Sequence, residues 1–366
     1  KTTESTVMNF EQIPNIEKAW ENVSIETLSP STFSWVHDGC AYQVLLQRLL
    51  NAYPSCQLPS HRNTNIGTIV HKIYELTTKG LLRNFAEMRD KWEEMIKAEE
   101  DKLAAKYPTL KSINLNDYDK RNKAIKYALG IIKNRKPKGE DSSNVLVLSE
   151  NYLDCKEIGL KGVADKVIIA NGKVAIIDYK SGQVHDSEGN VKTEYVTQLH
   201  LYAAMCDHLN MGSINKLALV DINGEEILVD YDYELKDKLC NDVASTIGRL
   251  NDIIERRAFV EVVKADSSKC GNCSCRHICK YRLENEDDYY HTIEGTVTEE
   301  PSTNLYVITD DSGTSRYISG LDVYSLEDPQ IYLNKRLVFI NVIKSSPISE
   351  DAAYKVCDSS IIFEQL

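Results

Sequence analysis

Asp165, Asp178 and Lys180 fall at spacings that set two carboxylates and an ammonium on one face of a hairpin. The run from Gly162 to Ala170 is apolar and β-branched apart from Asp165-Lys166; Asn171-Gly172 follows, and Lys173 to Lys180 resumes the pattern. Asn-Gly is the strongest short hairpin signal, because both central residues of a type I′ turn need φ > 0. A two-residue loop sets Ala170 opposite Lys173, and counting outward sets Asp165 opposite Asp178. Opposed residues on an antiparallel pair share a face, with Cβ atoms roughly 5 Å apart. Lys180, two residues on, points to the same side. Two like charges so placed oppose folding unless a cation bridges them. Carboxylates are hard oxygen ligands that suit Mg²⁺ or Mn²⁺. Such an ion would orient a water, lower its pKa and polarise a phosphate. Lys180 would hold an ammonium beside the attacking water or the developing charge. The plainer alternatives are a solvated hairpin face and a surface lysine.

An aspartate followed on the next strand by Asp178-Tyr179-Lys180 resembles the PD-(D/E)xK nuclease core. Neighbouring residues narrow the resemblance to its RecB-like branch. Gly67-Thr68-Ile69-Val70-His71 resembles that branch's upstream histidine motif, and Gln198-Leu199-His200-Leu201-Tyr202 its downstream Gln-x-x-x-Tyr helix. The motifs come in the family's order over roughly residues 29–282. The resemblance implies an α/β fold with a restriction-endonuclease-like core, a mixed sheet flanked by helices. It implies a metal held by His71, Asp165, Asp178 and Tyr179, and a further acid at Glu150 that binds it directly or through water. Gln198 and Tyr202 would line the active site and orient the lysine or the substrate; four residues apart, they share a helix face. Read without the family, His71 could be a satisfied helix histidine. Glu150 could be an edge-strand carboxylate, and Gln198 with Tyr202 a polar pair filling the core.

Cys270, Cys273 and Cys279 crowd three thiols into one turn-rich stretch, and Cys40 lies 230 residues earlier. This set is similar to the iron–sulfur subgroup of the branch, which includes the AddB nuclease domain and the CRISPR adaptation nucleases. Four thiolates suit a [4Fe–4S] cluster. A zinc ribbon, which prefers two Cys-x2-Cys pairs, and plain thiols are the alternatives. Two features depart from the pattern: Cys275 falls inside the motif and could replace a ligand, and Ala41 follows Cys40 where relatives often carry proline. The cluster would tie the N-terminal helix to the far end of the nuclease without redox chemistry. Cys56, Cys155, Cys206, Cys240 and Cys357 show no ligand spacing and read as small apolar residues.

These residues need elements to hold them. Ser29-Pro30-Ser31 predicts a helix start, with Cys40 inside that helix. Apolar residues at helical spacing run over 67–104, and a second helical stretch over 119–133. Lys136 to Asn144, with Pro137 and Gly139, reads as a loop. A short strand over Val145–Ser149 leads to Glu150. After the hairpin come a helix around Tyr195–His208, strands at Leu217–Ile222 and Ile227–Tyr231, and a long helix over 235–257. From His291 the period changes to short β-rich runs at 292–298, 305–309, 316–319, 336–343 and 354–363, with a helix around 321–332. Five strands with a helix before the fourth suggest a small OB-like β-barrel. The expected division is a nuclease domain at 1–290 and a barrel at 291–366.

The chain has 366 residues, of which 42% are hydrophobic, ample for a buried core. No apolar run approaches the roughly 20 residues of a membrane span. The first ten residues are polar and lack a signal-peptide core, so a cytoplasmic protein is expected. Ten cysteines in that compartment argue for ligands and buried thiols instead of disulfides. Net charge is −12, unusual for a protein that must meet a phosphate backbone. Residues from His291 on carry 12 acids and 5 bases, or −7, which leaves −5 for the first 290. A DNA channel must then be a local basic patch. Lys120, Arg121, Lys123, Lys126, Lys133, Arg135, Lys136 and Lys138 are one candidate, with a solvated helix face as the alternative. No G-x-x-x-x-G-K-[ST] occurs, so the chain carries no ATP motor. The expectation is a Mg²⁺- or Mn²⁺-dependent deoxyribonuclease, acting on single-stranded ends as an exonuclease, in DNA repair, recombination or CRISPR-type defence. A helicase or other protein would dock on the acidic barrel. The alternatives are a catalytically silent scaffold derived from a nuclease, which loss of a catalytic residue would mark, and an RNA-directed nuclease.

Overall fold

A computed structural model describes residues 16–134, 145–265, 270, 273–281, 291–345 and 353–365. Among them are nine helices: α1 (Ile16–Ala19), α2 (Pro30–Asp38), α3 (Ala41–Leu50), α4 (Arg62–Thr78), α5 (Phe85–Lys106), α6 (Tyr118–Lys133), α7 (Thr193–His208), α8 (Tyr233–Arg256) and α9 (Leu321–Tyr324). Four of their starts carry standard capping residues. Ser29 accepts from the Thr32 N–H with Pro30 at the first position of α2, Asn84 caps α5, Asp117 caps α6 and Asp232 caps α8. None of the described helices is long and apolar enough to cross a membrane.

Strands β1 (Val145–Cys155), β2 (Leu160–Ala170), β3 (Lys173–Lys180), β4 (Ser213–Asp221) and β5 (Glu226–Val229) form a mixed sheet in that spatial order. Only β3 and β4 run parallel, joined by the crossover helix α7. Side chains alternate between the two faces. Val174, Ile176, Leu217 and Leu219 enter a core with residues of α2, α3, α7 and α8. Ile177, Tyr179, Ala218 and Val220 enter a second core with α4, α5 and α6. The result is a helix–sheet–helix sandwich that buries both faces.

The C-terminal strands are β6 (His291–Ser302), β7 (Leu305–Thr309), β8 (Ser315–Ser319), β9 (Arg336–Lys344), β10 (Ala353–Lys355) and β11 (Ile361–Glu364). Antiparallel pairing runs β8–β7–β6–β9, and β10 pairs with both β9 and, in parallel, β8. These pairings close a ring of five strands, with β11 added on β9. The ring is not separate from the sandwich. Val338, Ile340, Ile361 and Phe363 lie in the same buried core as Ile66, Trp92, Leu110 and Leu115. The Lys111 N–H donates to the Ile362 carbonyl at 2.8 Å, and the Glu364 N–H to the Thr109 carbonyl at 2.8 Å.

Several elements differ from the sequence reading. Cys40 is not inside a helix: Gly39 ends α2, and Cys40 is the N-cap of α3. β1 is eleven residues long, more than twice the expected strand, because it pairs with β2 along its length. The fifth C-terminal run divides into β10 and β11, and the expected helix at 321–332 into α9 and a 3₁₀ turn at Pro329–Tyr332. The loop expected at Lys136–Asn144 lies outside the described residues.

Candidate active site

The hairpin forms with the predicted turn: Asn171 and Gly172 both have positive φ, 51° and 71°. Register follows the count from Ala170↔Lys173 to Lys166↔Ile177, and there the paired ladder of β2 and β3 stops. Asp165 and Asp178 are therefore not a laddered pair. The Asp165 carboxylate takes the next ladder position, its Oδ2 accepting from the Tyr179 N–H at 2.7 Å. On the other side of β2, pairing with β1 skips Glu150 and Asp165, although Ser149↔Lys166 and Asn151↔Ala164 are both in register. Glu150 sits at φ 49°, a left-handed conformation costly for a residue with a Cβ. The three strands thus open at one level, and both acids turn out of the ladder into the gap.

His71 meets them from α4. Its Nδ1 lies 3.3 Å from Asp165 Oδ1 and 3.9 Å from Glu150 Oε1. Among the described residues, His71, Glu150 and Asp165 are the group whose possible donor atoms all lie within 4.8 Å of one another. A helix must approach the strand end closely to achieve this. Gly67, one turn before His71, makes the approach possible: a Cβ there would come within 2.9 Å of Ser181 Oγ.

Asp178 forms a second group. Its Oδ2 is 2.6 Å from Lys180 Nζ, and Gln198 Nε2 donates to its Oδ1 at 3.0 Å. Lys180 donates in turn to Gln198 Oε1 at 2.8 Å, which closes a triangle. Tyr202, one turn on, donates to the Val163 carbonyl at 2.6 Å and so ties α7 to the strand that carries Asp165. Tyr179 faces away: its ring packs among Tyr74, Tyr127 and His71. Its backbone N–H donates to the Asp165 carboxylate.

Electrostatics match this crowding. Burial and the Asp165 charge push the Asp178 carboxyl up to about 6, against the pull of Lys180. Burial and Asp165 likewise raise Glu150. Burial lowers His71, but the charges of Asp165, Asp178 and Glu150 outweigh it and lift the imidazole to about 9. The site is short of positive charge, and its donors (two carboxylates and an imidazole, with a third carboxylate adjoining) suit a hard divalent cation.

The sequence reading missed one neighbour. Tyr195, three residues before Gln198, places its ring centroid 4.4 Å from Lys180 Nζ. Its spacing is the available signal, since residues i and i+3 share a helix face.

A second cluster of candidate ligands lies elsewhere. Cys40, Cys270, Cys273 and Cys279 line one small cavity, together with Tyr42, Gln43, Leu46, Val263 and Arg276. Cys275 does not line it. Its thiol is fully buried and donates to the Gln43 carbonyl at 3.8 Å. The basic run on α6 is partly engaged within the chain: Arg121 pairs with Glu93 at 2.7 Å, Lys123 with Asp119 at 2.8 Å, and Lys120 donates to Asn63 at 2.6 Å. Arg135, Lys136 and Lys138 lie outside the described residues.

Residues 27–280 fit the family described as the PD-(D/E)XK nuclease superfamily. No curated protein matches the chain.

Proposed function

Because the chain belongs to the PD-(D/E)XK nuclease superfamily, we propose that it is a divalent-metal-dependent deoxyribonuclease of the RecB-like branch. The carrying observation is the convergence of His71, Glu150 and Asp165 beside the Asp178–Lys180–Gln198 triangle. Mg²⁺ or Mn²⁺ would neutralise the carboxylates and supply Lewis-acid polarisation of the phosphate. His71, Glu150, Asp165 and Asp178 would hold it. Asp165 is oriented by the Tyr179 N–H, and Asp178 by Gln198. Lys180 keeps an ammonium at the site, where negative charge grows as the phosphodiester is attacked. Gln198 fixes that ammonium, and Tyr202 fixes the helix that carries Gln198.

Single-stranded ends are the proposed substrate. The closed C-terminal ring is read as an OB-like barrel, a reading supported by its pairing order and the parallel β8–β10 contact. Its −7 charge favours a protein, such as a helicase, over a DNA backbone as the surface's partner. We assign Cys40, Cys270, Cys273 and Cys279 to a [4Fe–4S] cluster. Their shared cavity supports this.

Anaerobically purified protein on end-labelled single strands tests the activity. Cleavage should need Mg²⁺ or Mn²⁺. Asp178→Ala and Lys180→Ala should each lose at least about 10²-fold in kcat, the usual scale for removing a charge-stabilising group. Wild-type rates for Asp178→Ala would overturn the site.

A further inference from the structure

Lys180 is mostly buried, its side chain 15% exposed, and three groups surround its ammonium. Asp178 Oδ2 stands at 2.6 Å, Gln198 Oε1 at 2.8 Å and the Tyr195 ring centroid at 4.4 Å. These partners are unequal. Asp178 has a second task, since a divalent cation entering the site competes for its carboxylate. Gln198 already divides its amide between Asp178 and Lys180. Tyr195 alone among the three binds the ammonium by a face that the metal does not contest.

The element makes the contact a built one. Tyr195, Gln198 and Tyr202 stand at i, i+3 and i+7 on α7 and form one stripe along its face. From the N-terminal end, that stripe meets the ammonium, then the carboxylate–ammonium triangle, then the β2 carbonyl at Val163. The negative face of an aromatic ring attracts a cation most strongly where water is excluded.

We propose that Tyr195 is a positioning residue whose ring seats the Lys180 ammonium for the reaction once Asp178 is drawn toward the metal. This rests on the nuclease reading above. Phenylalanine keeps the ring and leucine does not. With Mg²⁺ and a labelled single strand, Tyr195→Leu should lose roughly tenfold in kcat with KM within about twofold, as removal of a partly desolvated cation–ring contact implies. Tyr195→Phe should stay near wild type. Mono-, di- and trifluorophenylalanine at 195 should lower kcat stepwise, because fluorine drains the ring face while hardly changing its size. A packing role would give no such trend.

A second readout is independent of turnover. The Lys180 ε-methylene resonance should carry a ring-current shift that persists through Mg²⁺ titration and vanishes in Tyr195→Leu. Wild-type kcat in Tyr195→Leu, a flat fluorination series, or loss of the shift on adding Mg²⁺ would overturn the proposal. If Lys180→Ala is inactive while Tyr195→Leu is normal, this inference fails and the nuclease reading stands. If wild type and Lys180→Ala cleave alike, both fall.

Discussion

Glu150 shows the tension at single-residue scale. Its backbone is held at positive φ, and its carboxylate is pressed against Asp165 at a partly buried site. Folding alone gives no reason for that arrangement, and the proposed divalent cation would supply one. Because burial and Asp165 raise its folded pKa, the stability that Glu150 contributes is present below its ordinary range. It is lost as pH rises through the raised value. Glu150→Gln keeps the shape and removes the charge. At neutral pH it should raise the melting temperature of the metal-free protein by a few degrees and abolish most of the further rise that Mn²⁺ gives wild type. Melts with and without Mn²⁺ at two pH values check this, and a lower metal-free melting temperature would contradict it.

At the scale of elements, the site depends on how closely α4 approaches the end of β3. Gly67→Ala inserts a methyl 2.9 Å from Ser181 Oγ, so that hydroxyl must turn away or the helix must move off. His71 rides on that helix, and cleavage should fall by up to about tenfold, since displacements near 1 Å are costly to positioned chemistry. Ser181→Ala removes the opposing oxygen and should restore much of the activity in the double variant; a fully additive loss would sink the steric account. The cysteine loop gives the second test at this scale. A cluster joining Cys40 to residues 270–279 cross-links nearly the whole sandwich, a constraint worth about 4–5 kcal/mol in the chain-entropy model. Cys273→Ser should lose the brown colour, the roughly four irons per chain, and much of the stability. Cys275→Ser should keep its iron and lose only about 1 kcal/mol, the scale of a perturbed buried hydrogen bond. Iron loss from Cys275→Ser would reassign the ligands.

Across the whole molecule, the C-terminal ring is fastened to the sandwich through apolar packing. Val338, Ile340, Ile361 and Phe363 complete the core around α4 and α5, and Lys111 and Glu364 pair at 3.0 Å beside it. Cutting at His291 would uncover Leu110, which bridges to Phe363, and Leu115 near Ile361, each worth about 1.5–3 kcal/mol when fully buried. A chain ending at residue 290 should therefore be aggregation-prone or melt far below the full protein. A soluble truncation with an unchanged melt would show that the two parts fold separately. Charge and periodicity alone suggest a detachable domain, because both change at His291. They report on the surface and the local strand, and neither records which apolar residues face another element.

Much of the site was legible in local sequence because hairpin geometry is local. Asn171-Gly172 fixed the turn and, through a period of two, brought Asp165 and Asp178 to the same end of the hairpin. Ser29 and Pro30 fixed where α2 begins. Gln198 and Tyr202 shared a face because 3.6 residues make a turn. Contacts across the chain decided the rest. The ladder opens at Asp165, which separates the two aspartates into different groups and sets Glu150 beside Asp165 at His71. Tyr195 gains its meaning from a lysine on another element. Cys275 and Cys273 look alike in sequence, yet one is packed against the Gln43 carbonyl and the other faces the cavity. Period and propensity specify which way a side chain leaves its own backbone. What it then meets depends on how elements far apart in sequence pack, and only the tertiary structure holds that.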